Sequence, residues 1–283
     1  MTPWGARVRE LREEPMLSGI DHVVVVTTDL DASRDELADL GFTVTPKARH
    51  LHYGTANHLC VFAEAAYLEI LGVEHEHPDQ PTTQQFMAPS LTTGGGVAAF
   101  ALATDDATAL HASLAADGIE CTEPTTWTRD ADTPSGVRDA TFTTFYLPAG
   151  AAPGFDMVFA CQQHTPGAVW VPEWTRHANG ARGLAGMSRH LTAIDDSIRA
   201  AYRRLAPTQG GLDALDITIG EQSIRLSAEP PIRHTTIELR ADPDSIPMVL
   251  ALETIANVTL SLRPTEDPRT KAGHVKGLGA ADR

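Results

Sequence analysis

Residues 20–42 read IDHVVVVTTDLDASRDELADLGF, and 77 positions further on a fainter copy, beginning at Gly96, reads GVAAFALATDDATALHASLAADGI. In each, an apolar strand ends in Thr-Asp, an amphipathic helix follows, and a glycine, Gly41 or Gly118, stops it. A repeat of this kind sets the architecture, because each copy is one supersecondary unit that buries its apolar face only against another. It also separates chemistry from scaffold. The first copy carries a polar His22 inside its strand where the second carries Ala99, so the two share a fold element and not a functional group.

After the first helix come FTVTPKA, HLCVFAE and AYLEILGV, short and rich in β-branched or aromatic residues, which predicts a β-α-β-β-β module over 18–74. A polar, Pro- and Gln-rich stretch, 75–94, leads to a second module over 95–164, with strand 97–103, helix 106–117 and strands near 119–127, 138–147 and 155–163. Together they predict an N-terminal domain over 18–164. Residues 165–182, with aromatics and His among Pro and Gly, read as an ordered linker.

The pattern then restarts more weakly over 183–263: strand 183–194, helix 196–205, a hairpin, strand 234–240, a helical stretch 244–255 and strand 257–262. The tail, 264–283, is polar and Gly-rich and predicts disorder. The fold class expected is α+β: paired βαβββ modules forming a cup-shaped mixed sheet, with a second, degenerate pair of modules.

Composition narrows the partners. A formal charge of −15 argues against nucleic acid, which needs a basic face. The longest apolar runs, such as Val23–Val26, are strand-sized and far short of a membrane span. The start, MTPWGARVREL, has no apolar core and does not read as a signal peptide. Cys60, Cys121 and Cys161 are odd in number and widely spaced, so neither a disulfide framework nor a cysteine zinc site is signalled. A cytoplasmic protein acting on a small molecule is the expectation, with a homodimer allowed for.

Period-two alternation puts His22 on one strand face with Val24 and Val26. Glu69, in AYLEILGV, is likewise a lone carboxylate among apolar neighbours, expensive to bury unless protonated, paired or bound to a metal. The two could pair with each other, Glu69 could face water, or both could hold an ion. At the end of FDMVFACQQH, Gln162 and His164 alternate onto one face with Ala160. His22, Glu69 and His164 would make a two-His, one-carboxylate set with open positions for water or substrate, with Gln162 as the weaker alternative donor. Arg49 and Asn57 flank the Gly54 turn and are candidates to touch a ligand, although Asn57 equally suits a turn. Trp170, Trp174 and His177 either wall the pocket or pin the linker.

The D-H of the first strand, the G-T-x-N before HLCVFAE and the Y-L-E-I of the fourth strand resemble the glyoxalase-like branch of the vicinal oxygen chelate superfamily (glyoxalase, bleomycin resistance, extradiol dioxygenase). The resemblance is strong over 18–74, moderate over 95–180 and faint beyond 183. It implies a cup that binds a divalent ion (Fe, Zn, Mn or Ni) through first- and fourth-strand residues, here His22 and Glu69. Ala99 departs from the family's four-ligand pattern, which puts the glyoxalase reaction and its glutathione substrate in doubt. The function expected is Lewis-acid chemistry on a small carbonyl or vicinal-oxygen substrate, of isomerase, lyase or dioxygenase type, with Glu69 or a metal-bound water as the proton shuttle and Arg49, Asn57, Gln162 and Trp170 as substrate contacts. The alternative is a non-catalytic small-molecule binder of the same fold.

Overall fold

The computed structural model describes residues 17–50, 53–75 and 85–265. The first repeat gives β1 (Gly19–Val26), α1 (Leu30–Asp39), β2 (Ala48–His50), β3 (Thr55–Phe62) and β4 (Ala66–Val73). The second gives β5 (Gly96–Ala103), α2 (Ala107–Ala116), β6 (Thr125–Thr133), β7 (Gly136–Tyr146) and β8 (Met157–Gln163). All eight strands form one mixed sheet in the order β2-β3-β4-β1-β5-β8-β7-β6. The order is palindromic. β1 and β5 run antiparallel at the centre, and each has its module's last strand, β4 or β8, parallel on its far side. The expected paired-module cup is therefore what forms.

The repeat carries its own local grammar. Asp29 and Asp106 hold extended backbone and accept hydrogen bonds from the N–H groups of Ala32 and Ala109, capping α1 and α2. Gly41 and Gly118 take φ of +85° and +74°, which residues with a Cβ rarely adopt. The following N–H groups then turn back, Phe42 to Leu37 and Ile119 to Leu114, satisfying carbonyls the helix would leave open.

Alternation divides the sheet into two faces. Val23, Val25, Leu68, Ile70, Phe100 and Leu102 point outward and pack with Leu37 of α1 and Leu110 and Leu114 of α2. Val24, Val26, Leu59, Tyr67, Ala99, Phe142 and Phe159 point inward and line the cup. The linker closes this inner side, because Ala168, Val169, Val171 and Trp174 pack into the same cluster. His177 pins it down: its Nδ1 accepts from Thr43 N–H at 2.9 Å and its Nε2 donates to the Val61 carbonyl at 3.0 Å.

The second half has β9 (Ala181–His190), α3 (Asp196–Leu205), β10 (Thr208–Gln209), β11 (Ala214–Ile219), β12 (Gln222–Ser227), β13 (Thr235–Ala241), β14 (Met248–Ala251) and β15 (Val258–Pro264). They form a seven-stranded sheet, β10-β11-β12-β9-β13-β15-β14, with β9 and β13 at its centre as β1 and β5 are in the first. The helix expected over 244–255 does not form. Pro247 would clash with the preceding turn, and Met248–Ala251 instead alternates in exposure and pairs antiparallel with β15. Most of the tail expected from 264 lies outside the described residues; Pro264 completes β15.

This sheet covers the outer face of the first. Leu184, Met187, Ile224 and Ile237 share one core with Val23 and Phe100, each such buried side chain contributing about 1.5–3 kcal/mol. Polar ties fix the register between the halves. Gln222 accepts from Ile20 N–H and donates to the Ile20 carbonyl, and the buried Arg189 donates to the Val97 carbonyl at 3.0 Å and to Thr235 Oγ1 at 2.6 Å. The second half backs the cup from its outer side and adds no residue to the inner cluster.

Candidate functional site

A bulge in β1 builds the site. Ile20 lies opposite Leu102 and His22 opposite Ala101, so Asp21 is the extra residue and its side chain turns to the same side as that of His22. His22 Nδ1 donates to Asp21 Oδ1 at 2.5 Å. A carboxylate oxygen accepts in this bond, which places a proton on Nδ1 and turns Nε2 toward the cup. That nitrogen faces Glu69 Oε2 at 3.6 Å. Tyr67, directly opposite His22 in the parallel β1–β4 pair, lies flat on the imidazole with ring centroids 4.4 Å apart. Gln163 completes the near end by donating its Nε2 to both Asp21 oxygens.

The row continues across β4, β3 and β2. Asn57 Nδ2 donates to Glu69 Oε1 at 2.7 Å and to His50 Nε2 at 3.3 Å, and His50 Nδ1 donates to Thr55 Oγ1 at 3.1 Å. Burial holds His50 below the ordinary imidazole range, with the Glu69 charge opposing the shift. A neutral His50 is what an Nε2 that accepts from an amide requires. The result is one connected line, Gln163–Asp21–His22–Glu69–Asn57–His50, on the floor of an otherwise apolar cup.

Around the line an inner chamber of about 100 Å³ is bounded by Tyr67, Trp127, Phe142, Tyr146 and Phe159. It opens into a mouth of about 460 Å³. Burial pushes the Tyr67 phenol and the Cys161 thiol well above their usual values, and Tyr146 up to about 12. These groups stay protonated at neutral pH, so Cys161 is not a nucleophile here. Among the described lining residues of the chamber, Glu69 is the one carboxylate.

The structure brings together His22, Glu69 and Asn57 and sets the other expected residues apart. Antiparallel partners share a face, and β7–β8 pairs Phe142 with Gln163 and Thr143 with Gln162. The inner residues of β8 are therefore Phe159, Cys161 and Gln163, one step out of phase with Gln162 and His164. His164 is exposed on the outer face with its Nε2 on Thr143 Oγ1 at 2.7 Å. Gln162 spans the start of α2, accepting from Ala107 N–H and donating to the Asp105 carbonyl. Neither reaches the cup. Arg49 stands at the mouth and is tied to Glu74 at 3.0 Å. Trp170 packs edge-on against Tyr67, 5.8 Å between centroids, behind the chamber wall.

Two further members of the site, Asp21 and Arg129, do not follow from alternation along the sequence. Asp21 was visible as the first half of the D-H pair, but strict alternation assigns it to the opposite face, and only the bulge reverses that. Arg129 shares the inner face of β6 with Trp127 and Ala131, the W-x-R-x-A spacing of TWTRDADT.

The donors present can be tested against a divalent ion. Two ligands on a tetrahedral ion at about 2.0–2.2 Å lie roughly 3.4 Å apart, close to the 3.6 Å between His22 Nε2 and Glu69 Oε2. Asp21 supplies the outer carboxylate that orients metal-binding imidazoles. Asn57 Oδ1 is buried beside Glu69 with no hydrogen-bond partner among the described residues. His22 and Glu69 thus fit an ion held by two protein donors, its other positions facing the chamber. The second module adds none: His22 corresponds to Ala99, and Glu69, opposite Val24, corresponds to Phe159, opposite Ala101. Among the described residues no group of three or more His, Cys, Asp or Glu side chains is placed to hold an ion. The expected third ligand is therefore not in the cup.

Comparison with known proteins gives the family and the fold. Residues 20–206 match the family model described as a glyoxalase-like domain. A crystal structure of a hypothetical protein from Staphylococcus aureus is similar at 13% identity and a TM-score of 0.68, covering 87% of this chain and 99% of its own. Methylmalonyl-CoA epimerase from Mycobacterium tuberculosis aligns at 18% identity and a TM-score of 0.41, over 54% of this chain and 93% of its own. No curated protein matches in sequence.

Proposed function

The chain belongs to the glyoxalase-like domain family, and on that premise we propose that it is an enzyme moving a proton at carbon in a small carbonyl or vicinal-oxygen substrate, of isomerase or lyase type. The observation that carries this reading is the Asp21–His22–Glu69 row on the floor of an apolar cup. A divalent ion held by His22 and Glu69 would supply Lewis-acid polarisation of a substrate oxygen. Glu69 takes and returns the proton, being the one chamber carboxylate among the described residues. Asn57 holds Glu69 by its Oε1, and Asp21 holds His22 by its Nδ1, so neither reacting side chain has to be ordered when substrate arrives. Tyr67, Phe142 and Phe159 keep bulk water from the reacting carbon.

A ring-cleaving oxygenase needs the two-His, one-carboxylate face, and with His164 on the outer side that reading loses its support. Sequestration without turnover is the second reading, favoured by the apolar Ala99 and Phe159 at the second module's donor positions. Deuterium exchange separates the two. Incubated in D₂O with Zn²⁺ and hydroxyacetone, lactaldehyde or phenylpyruvate, the protein is expected to catalyse exchange at the carbon beside the carbonyl, and Glu69→Gln to slow it by about 10²–10⁴-fold. Exchange unaffected by Glu69→Gln would overturn the role of Glu69. Tight binding without exchange would establish sequestration.

A further inference from the structure

We propose that the substrate is an organic carboxylate whose anionic group is held by Arg129, an inference that rests on the proton-transfer reading of the same cup. Arg129 projects from β6 on the inner face, half-buried, and lines both the chamber and its mouth. Among the described residues, the other Lys and Arg side chains of the mouth are occupied: Lys47 pairs with Asp31 at 2.7 Å, and Arg49 with Glu74 at 3.0 Å. Arg129 forms no ion pair among the described residues; its Nη1 reaches the Asp130 carbonyl at 3.2 Å, and its guanidinium lies 5.7 Å from the Phe142 ring centroid.

The surroundings select the anion. Trp127 and Phe142, tilted together at 4.8 Å, fix the strand that bears Arg129 and offer an apolar wall to the body of a ligand. The guanidinium fork matches the two oxygens of a carboxylate. A phosphate would call for further donors, and the neighbours on the mouth side include Asp130 and Asp132, which repel a dianion more than a monoanion. Arg129 lines the same chamber as Glu69, so a carboxylate held by its guanidinium would leave the reacting carbon toward Glu69.

The experiment compares phenylpyruvate, 2-oxo-4-phenylbutyrate and benzoate with their methyl esters and with phenyl phosphate, by calorimetry on the whole chain. The wild-type protein should bind at least one acid about 10-fold or more tighter than its ester. Arg129→Gln should erase that preference while leaving ester binding unchanged, and Arg129→Lys should restore part of it. Acids and esters bound alike, no acid bound at millimolar concentration, phenyl phosphate bound tightest, or a preference that survives Arg129→Gln would each overturn the proposal. Deuterium exchange in Glu69→Gln is read separately. If that variant keeps exchange while Arg129→Gln loses selectivity, the carboxylate assignment stands and the proton-transfer reading fails.

Discussion

Asp21 and His22 are neighbours in sequence whose side chains meet on one face of β1, Oδ1 and Nδ1 2.5 Å apart, because the strand bulges between Ile20 and His22. The bond sets which imidazole nitrogen faces Glu69. Asp21→Asn should therefore weaken Zn²⁺ binding about 10–100-fold, the usual cost of losing an outer-shell partner, while the thermal midpoint moves little. Competition with a chromophoric chelator measures it. An unchanged affinity would mean that Asp21 does not orient the site.

Asn57 joins the floor to the fold. Asn57→Ala leaves Glu69 Oε1 without its 2.7 Å donor in a half-closed apolar chamber. The expected cost is about 1–3 kcal/mol of stability in urea unfolding, together with a lower exchange rate at unchanged binding of the ester probes. Full rate and full stability would assign Asn57 to the turn alone.

Gln222 tests how the two halves are held together. Its amide satisfies both backbone groups of Ile20 across the interface. Gln222→Ala strands a buried donor and acceptor and should destabilise the chain by about 2 kcal/mol. The metal affinity should stay as in the wild type, since β1 remains paired on both sides. A collapse of metal binding in a folded variant would instead make the second half part of the site.

His50 predicts a pH dependence. Burial depresses its folded-state value, so as pH falls through about 6.5 the unfolded chain takes up a proton that the folded chain refuses. Stability must then fall with acidification from about pH 7 toward 5, by at most about 1.4 kcal/mol per pH unit for each such group. His177, depressed by the same cause, contributes in the same direction. Thermal midpoints across this range should fall less steeply in His50→Gln. An identical slope would place His50 in solvent.

How much of this was legible in the sequence follows from where each signal lives. The repeat, its Asp caps and its Gly stops are local, and they predict β1, α1, β5, α2 and their pairing. His22 and Glu69 stood out because each is a single polar residue in an apolar strand. His164 and Gln162 share the face of Ala160, whose side chain points to the helices and not into the cup; one step of phase moves a whole strand's side chains to the other face. Asp21 needed the bulge, which depends on how β5 pairs. Arg129 needed the curl of the sheet, which brings the edge strand β6 over the cup. The missing helix at 244–255 was foreshadowed by Pro247.

The most direct measurement is a crystal structure of the protein soaked in Mn²⁺, with data collected for anomalous scattering. A single strong peak is expected about 2.1 Å from both His22 Nε2 and Glu69 Oε2, with the outer-face His164 left on Thr143. No peak there at millimolar Mn²⁺, with His22 and Glu69 drawn into a direct hydrogen bond instead, would contradict it.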